Sequence, residues 1–330
     1  MGLFVGKITG EGYEPPLIHR WLSPRVSGNA INGLGESGRR PPRPVYWHKP
    51  RKLAHGWLQR LLTARAYLTP ALWRVGFENE VLQARRHRPI ATSKKTATPE
   101  EWAEGIRKYA GENEADLVGI ARIDPDWVFE GYRVSTPWIV VLGVVMDHAR
   151  LSTAPAIESV DEVMAQYNRG VRAAKGLANW IRSQGFRAEG HSGPQAGPVA
   201  LIPAALACGL GELGKHGSII NRDYGSSFRL ACVLTDLPLV ADAPDKLDVD
   251  DFCRSCRLCT AKCPPKAIFE EKQMVRGERK WYVDFDRCIP YFNDTFGCAI
   301  CIGVCPWSRP GVAPGLAAKM ARRRSNSPGP

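Results

Sequence analysis

The residues that could do chemistry are concentrated between positions 253 and 305, where eight of the ten cysteines lie. Cys253, Cys256, Cys259 and Cys263 follow the C-x2-C-x2-C-x3-C-P pattern, while Cys298, Cys301 and Cys305 repeat its end, with Cys288 ahead of them. Thiolates on short loops at these spacings hold three corners of a [4Fe–4S] cube, and the last cysteine of each run crosses to the other cube. The predicted ligand sets are therefore Cys253, Cys256, Cys259 and Cys305 for one cluster, and Cys263, Cys288, Cys298 and Cys301 for a second. A zinc site would use four ligands in two C-x-x-C pairs, and a disulfide framework suits short secreted chains. Eight cysteines in two cluster-type sets, in a chain of 330 residues, fit neither. Cys208 and Cys232 lie in apolar stretches outside both runs and read as small buried hydrophobes. Clusters of this kind pass one electron at a time, so another part of the chain must use the electrons.

The rest of the chain is long enough for one large domain beside the small cluster module. Mean hydropathy is −0.25, and the longest apolar run, Trp138 to Met146, has the length of a strand, well below the ~18–20 residues of a membrane span. Met1 to Lys7 is too short for a secretory signal core, and Arg39-Arg40 is followed by prolines, so the expected location is the cytoplasm. The net charge of +12 is unevenly placed: residues 1–98 carry 17 Lys/Arg against 5 Asp/Glu, which leaves the remainder neutral. A basic segment on a neutral body points to an anionic surface as its partner, whether membrane headgroups, nucleic acid or an acidic redox protein.

Residues 1–55, rich in Gly, Pro and Arg, read as an irregular wrap or a disordered arm that is dispensable for chemistry. Gly56 to Arg86 has helical spacing interrupted at Pro70. Thr98-Pro-Glu-Glu101 forms a capping box with proline at the first helical position. Asp116 to Arg122, Pro137 to Met146 and Phe228 to Thr235 read as strands. Ser159 to Gln184 is the strongest helix: Val160, Val163, Tyr167, Val171, Ala174, Ala178 and Ile181 recur by threes and fours, and Gly185 closes it. Tyr167 therefore points inward. Residues 190–217 hold ten glycines or prolines around a short helix at Ala200 to Ala207. This stretch ends in Gly209, Gly211, Gly214 and Gly217, which follow a helix and fit neither a Walker loop nor a dinucleotide fingerprint. They do permit close backbone approach to a large flat ligand.

Arg88-Pro-Ile-Ala-Thr92, Ala115-Asp-Leu-Val-Gly-Ile-Ala121, Gly209-Leu-Gly-Glu212, Thr235-Asp-Leu-Pro-Leu239, and Cys288-Ile-Pro-Tyr-Phe292 with Gly297-Cys-Ala-Ile-Cys-Ile302 and Cys305-Pro-Trp307 together resemble the corrinoid-dependent reductive dehalogenases. The resemblance covers residues 88–310. It implies an α+β chain: a nitroreductase-like α/β core holding cobalamin at residues 88–249, then a ferredoxin-like module with two [4Fe–4S] clusters at 250–312. Residues 1–87 stand before it as the basic segment with an amphipathic helix, and 313–330 follow as a disordered basic tail. The implied reaction replaces halogen by hydrogen on an organohalide. Tyr167 resembles the family's active-site tyrosine, Lys215 its cationic partner, and Gly209, Gly211, Gly214 and Gly217 the corrinoid-binding stretch. No reductase module follows the last cysteine, so the resemblance implies a separate low-potential donor such as a ferredoxin or flavodoxin.

Two other readings compete. Epoxyqueuosine-type tRNA-modifying reductases share the corrinoid, the clusters and a stretch similar to Gly214-Lys-His216, but Ala165-Gln-Tyr-Asn168 stands where they carry Arg-Asp-Tyr-His, so nucleic acid is not the expected partner. A cluster-only electron carrier leaves the long Gly-rich middle unexplained.

Overall fold

The computed structural model describes residues 6–195 and 197–326. Residues 1–5, at the start of the basic segment, and 327–330, at the end of the tail, lie outside the described residues, as does Ala196. Four strands form the central sheet: β1 (Leu117–Arg122), β2 (Trp138–Val145), β3 (Ala188–Ser192) and β4 (Phe228–Thr235). They pair antiparallel in the order β1-β2-β4-β3, with Ile120 opposite Val140, Val141 opposite Cys232, and Gly190 opposite Val233. Alternation explains why β2 reads as an unbroken apolar run. Val140 and Leu142 face one core and Ile139 and Val141 the other, so neither side of the strand meets water.

Helices cover both faces. The larger ones are α1 (Gly56–Tyr67), α2 (Pro70–Ala84), α3 (Pro99–Glu112) and α4 (Ile157–Ser183), with the short α5 (Leu201–Ala207) on the opposite face from α3 and α4. The capping box forms as the sequence predicts: Glu101 N donates to Thr98 Oγ1 at 3.2 Å and Thr98 N to Glu101 Oε2 at 2.8 Å. On α4, Ala173, Ala174, Leu177, Ala178 and Ile181 are buried in the core against the sheet, and Val171 is buried as well. Truncating Ile181, which is fully buried, to alanine would cost about 2–5 kcal/mol. Pro70 separates α1 from α2 because it lacks the N–H that would continue α1, and it occupies the first turn of α2.

Residues 6–87 are a folded wrap, tied to both the core and the cluster module. Toward the module, Asn29 Nδ2 donates to Asp284 at 2.8 Å, Gly28 N to Asp286 at 2.7 Å, and Arg65 pairs with Asp294 at 3.3 Å. Toward the core, Asn79 donates to Asn168 at 2.8 Å and Gln83 to Ser192 O at 2.9 Å. Arg40 and Arg43 pair with Glu36 and Glu130, so part of the segment's positive charge is used internally.

The cluster module is built from α6 (Val249–Ser255), α7 (Phe285–Asp294) and single helical turns at Leu258–Ala261 and Ile300–Gly303. The tail departs from the expected disorder. Residues 312–326 form α8 (Val312–Asn326), with Ala313 and Met320 buried beside Trp307 and Arg324 paired with Asp248 at 2.9 Å. Its apolar positions were too sparse to read against the run of arginines, and the module supplies the face that buries them. Among the described residues no helix is long and apolar enough to cross a membrane.

Candidate active site

The eight motif cysteines sort by neighbourhood. Cys253 feels Cys305, Cys259 and Cys256, whereas Cys288 feels Cys298 and Cys263, and Cys301 feels Cys288 and Cys298 first among its cysteine neighbours. The elements explain the grouping: α6 carries Cys253, the turn at 258–261 carries Cys259, and Cys305 precedes a tight turn at Pro306–Ser308. Burial, which disfavours the thiolate, pushes Cys253 and Cys288 up to about 12 and Cys298 and Cys305 to about 11. Backbone N–H groups nevertheless aim at the sulfurs, as Ala267 N does at Cys263 Sγ (3.3 Å). Buried thiols that are hard to ionise alone, yet supplied with N–H donors, suit ligands of a cationic iron core, which takes thiolates and accepts such hydrogen bonds. Among the described residues no three His, Cys, Asp or Glu stand close enough for a single metal ion. Cys208 and Cys232 are buried in the second core, away from both groups, and burial raises each to about 12.

Tyr167 is half-buried on α4 and lines a cavity of about 470 Å³. The walls come from distant parts of the chain. Leu62 on α1, Asn79 on α2, His191 on β3 and Arg229 on β4 face it, and Phe292, one helical turn after Cys288, and Phe296, two residues before Cys298, close another side. The Tyr167 ring lies so close to Gly193 that a Cβ there would sit 2.1 Å from Cε1, so only glycine fits. The Arg229 guanidinium carbon stands 5.6 Å from the Tyr167 ring centroid. Arg229 Nε and His191 Nε2 are both buried without a hydrogen-bond partner among the described residues. Burial lowers the His191 pKa, which keeps its imidazole neutral at neutral pH. Orphaned buried donors and acceptors around a cavity are what a bound ligand would satisfy.

The structure corrects two sequence-based assignments. Lys215 does not line the cavity: it is 2% exposed, and its Nζ contacts Cys256 O at 3.4 Å and the Trp281 ring at 4.8 Å. The cation beside Tyr167 is Arg229. Nor do Gly209, Gly211, Gly214 and Gly217 line the cavity. A Cβ on Gly209 would meet Ala243 O at 2.5 Å, and one on Gly211 would meet Ile220 O at 2.2 Å, so these glycines admit the protein's own backbone. Their tight path delivers Glu212, whose carboxylate accepts from Leu247 N at 3.0 Å and Val249 N at 2.7 Å and so anchors the start of α6. His216 is part of the same support. Its Nδ1 accepts from Ser218 N at 3.2 Å, which leaves Nε2–H to donate to Ser226 Oγ at 3.2 Å, and burial lowers its pKa to about 4. Arg229 escaped the sequence reading because it sits inside a β-rich run. An arginine between Phe228 and Leu230 in a strand with both faces covered is itself a signal, since a charge there must face a polar space.

Residues 252–308 match the 4Fe-4S dicluster domain family. The chain is 30% identical over 210 residues to the tetrachloroethene reductive dehalogenase of Dehalobacter restrictus, covering 59% of this chain and 37% of that protein. It is 26% identical over 261 residues to the enzyme of the same name from Sulfurospirillum multivorans (65% and 52% covered), and 27% identical over 264 residues to the epoxyqueuosine reductase of Aliivibrio fischeri (64% and 67%). A solved catabolic reductive dehalogenase superposes with a TM-score of 0.66 at 26% identity, over 81% of this chain and 39% of that one. The chain thus spans between about a third and about half the length of these reductive dehalogenases. It is their relative, as the sequence resemblance implies, with epoxyqueuosine reductases as further relatives.

Proposed function

We propose that the chain is an oxidoreductase of the reductive-dehalogenase type, with cobalamin in a nitroreductase-like core and two [4Fe–4S] clusters. The reaction is R–X + 2e⁻ + H⁺ → R–H + X⁻. The observation that carries this reading is the meeting of three things at one cavity: a phenol, a guanidinium and a wall that adjoins the Cys288–Cys298 ligand set. A bound corrinoid supplies strongly reducing cobalt, the chemistry that carbon–halogen cleavage requires.

The chain's own residues cover the remaining needs. The Tyr167 hydroxyl is placed to give the proton that the carbon gains as halide leaves. Arg229 lies beside the ring and can hold the negative charge left on the phenolic oxygen. Its unpartnered Nε also offers a donor to a carboxylate or phenolate on the substrate. His191, kept neutral by burial, adds a second polar contact without adding charge. Leu62, Val160 and Met164 give the cavity an apolar wall that excludes water. The Cys263, Cys288, Cys298 and Cys301 cluster would be the one beside the cavity, and the Cys253, Cys256, Cys259 and Cys305 cluster the more remote. Electrons would come from a separate ferredoxin or flavodoxin, with the basic residues of 1–87 that are not paired internally meeting its acidic surface or an anionic membrane.

Reconstitution with iron, sulfide and cobalamin under anaerobic conditions, followed by metal analysis, tests the cofactor assignment. We expect about eight irons and one cobalt per chain. Full iron with no cobalt retained would leave a cluster-only electron carrier. Cobalt and iron together, with turnover of epoxyqueuosine tRNA and no halide release, would assign the chain to the other group of relatives.

A further inference from the structure

The surroundings of Lys215 lack what a buried ammonium ordinarily has. The side chain is 2% exposed, its one hydrogen bond among the described residues is to Cys256 O at 3.4 Å, and Trp281 covers it at 4.8 Å. Lys272, on the same tryptophan at 5.8 Å, pairs with Asp250 at 2.8 Å, whereas no carboxylate among the described residues pairs with Lys215. A buried cation without an anion is costly enough that one is expected nearby. Its neighbourhood is that of one ligand set: Nζ meets the Cys256 carbonyl, its backbone N–H donates to Cys253, and its charge acts on Cys259. A [4Fe–4S] cube with four thiolates is an anion in both of its working states, and reduction makes it more negative.

We infer that Lys215 is the internal counter-ion of the cluster held by Cys253, Cys256, Cys259 and Cys305, and that it sets this cluster at a higher reduction potential than its neighbour. The inference rests on the two-cluster reading above. A fixed positive charge in a low-dielectric site favours the reduced, more negative cluster. The other ligand set has no such cation of its own among the described residues: the charge that acts on Cys288 is the Asp284 carboxylate at the start of α7, itself paired with Arg287 at 3.6 Å and accepting from Asn29 at 2.8 Å. Because Phe292 and Phe296 place the second set at the cavity, the Lys215 cluster is the remote one, where electrons enter, and its raised potential makes it the first to fill.

A redox titration of the reconstituted chain, followed by EPR, tests this with Lys215→Met, which keeps the length and loses the charge, and Lys215→Arg, which keeps the charge. Wild type should show two midpoints. Lys215→Met should lower the higher one by roughly tenfold in its one-electron equilibrium, about 59 mV, and leave the lower one in place, while Lys215→Arg should follow wild type. An unmoved higher midpoint, or an equal shift of both, overturns the inference. If Lys215→Met loses about half the iron while Lys215→Arg keeps it, the charge is needed even to hold the cluster, which supports the counter-ion role. Iron loss in both variants makes the residue a matter of shape and overturns it. Wild-type protein holding only about four irons sinks the two-cluster reading and this inference with it, whereas full iron with unmoved potentials sinks the inference alone.

Discussion

The cluster module and the cavity hold their functional groups in opposite ways. In the module, six of the eight sulfurs lie on or directly beside helical segments, and backbone donors stand close in sequence, as Ala267 does to Cys263. In the cavity, Tyr167, Arg229, His191 and Asn79 come from four separate elements, and two of them keep buried atoms without a hydrogen-bond partner among the described residues. The module is a local device, set by spacing along the chain. The cavity is a product of tertiary packing. Changes in the module should therefore be all-or-none for a cluster, while changes in the cavity should be graded and leave the clusters intact.

The largest effect expected is in the module. Cys301→Ala should remove one cluster, about half the iron, and abolish turnover, whereas Cys208→Ala should retain full iron by metal analysis. In the cavity, Tyr167→Phe keeps the ring on Gly193 and loses only the oxygen. Turnover should fall roughly 10²–10⁴-fold, the cost of a positioned general acid, with iron and cobalt contents unchanged. Arg229→Gln should cost about tenfold or more, and the double variant should be little worse than Tyr167→Phe alone, because two groups acting on one proton are not additive. Additive losses would separate Arg229 from Tyr167.

Smaller effects probe the parts that support both regions. Asn29 donates to Asp284 and accepts from Phe285 N at 2.8 Å and from Tyr282 OH at 3.0 Å, all at the start of the helix that carries Cys288. Asn29→Ala should lower stability by about 1–3 kcal/mol, read as a fall in Tm, with residual turnover per bound iron preserved. The smallest is a pH effect. His216 is held neutral when folded, with its pKa lowered to about 4 by burial. As pH falls below the unfolded value of about 6.5, only the unfolded chain takes the proton, so stability is lost. From pH 7 to 5 the loss is roughly 2 kcal/mol, and the Tm of His216→Gln should fall less over that interval than wild type.

The difference between the two regions also explains what could be read in advance. Ligand spacing, the Thr98 capping box and the α4 stripe that carries Tyr167 are local patterns, and the sequence displays them. The wrap of residues 6–87 was less legible, because its ties are single polar side chains such as Asn29 and Asn79 whose partners lie 255 and 89 residues away. The glycines of 209–217 do permit close approach, but their composition does not say whether ligand or protein comes near, and here it is protein: backbone at Gly209 and Gly211, side chains at Gly214 and Gly217. Lys215 was assigned to the cavity, and Arg229 passed over, for the same reason. Both are isolated cations near a predicted site, and only the tertiary fold decides which reaches the cavity and which reaches the sulfurs.

The central claim is that the electrons of the module are spent at the Tyr167–Arg229 cavity on a carbon–halogen bond. Its most direct test is halide release, measured anaerobically with cobalamin-loaded, iron-replete chain, a low-potential chemical donor and a panel of halogenated phenols. Release of one halide for each two electrons consumed, matched by the hydrogen-substituted product and suppressed by Tyr167→Phe, is the predicted result. Protein that carries full iron and cobalt and is reduced by the donor, yet releases no halide from any member of the panel, would contradict it.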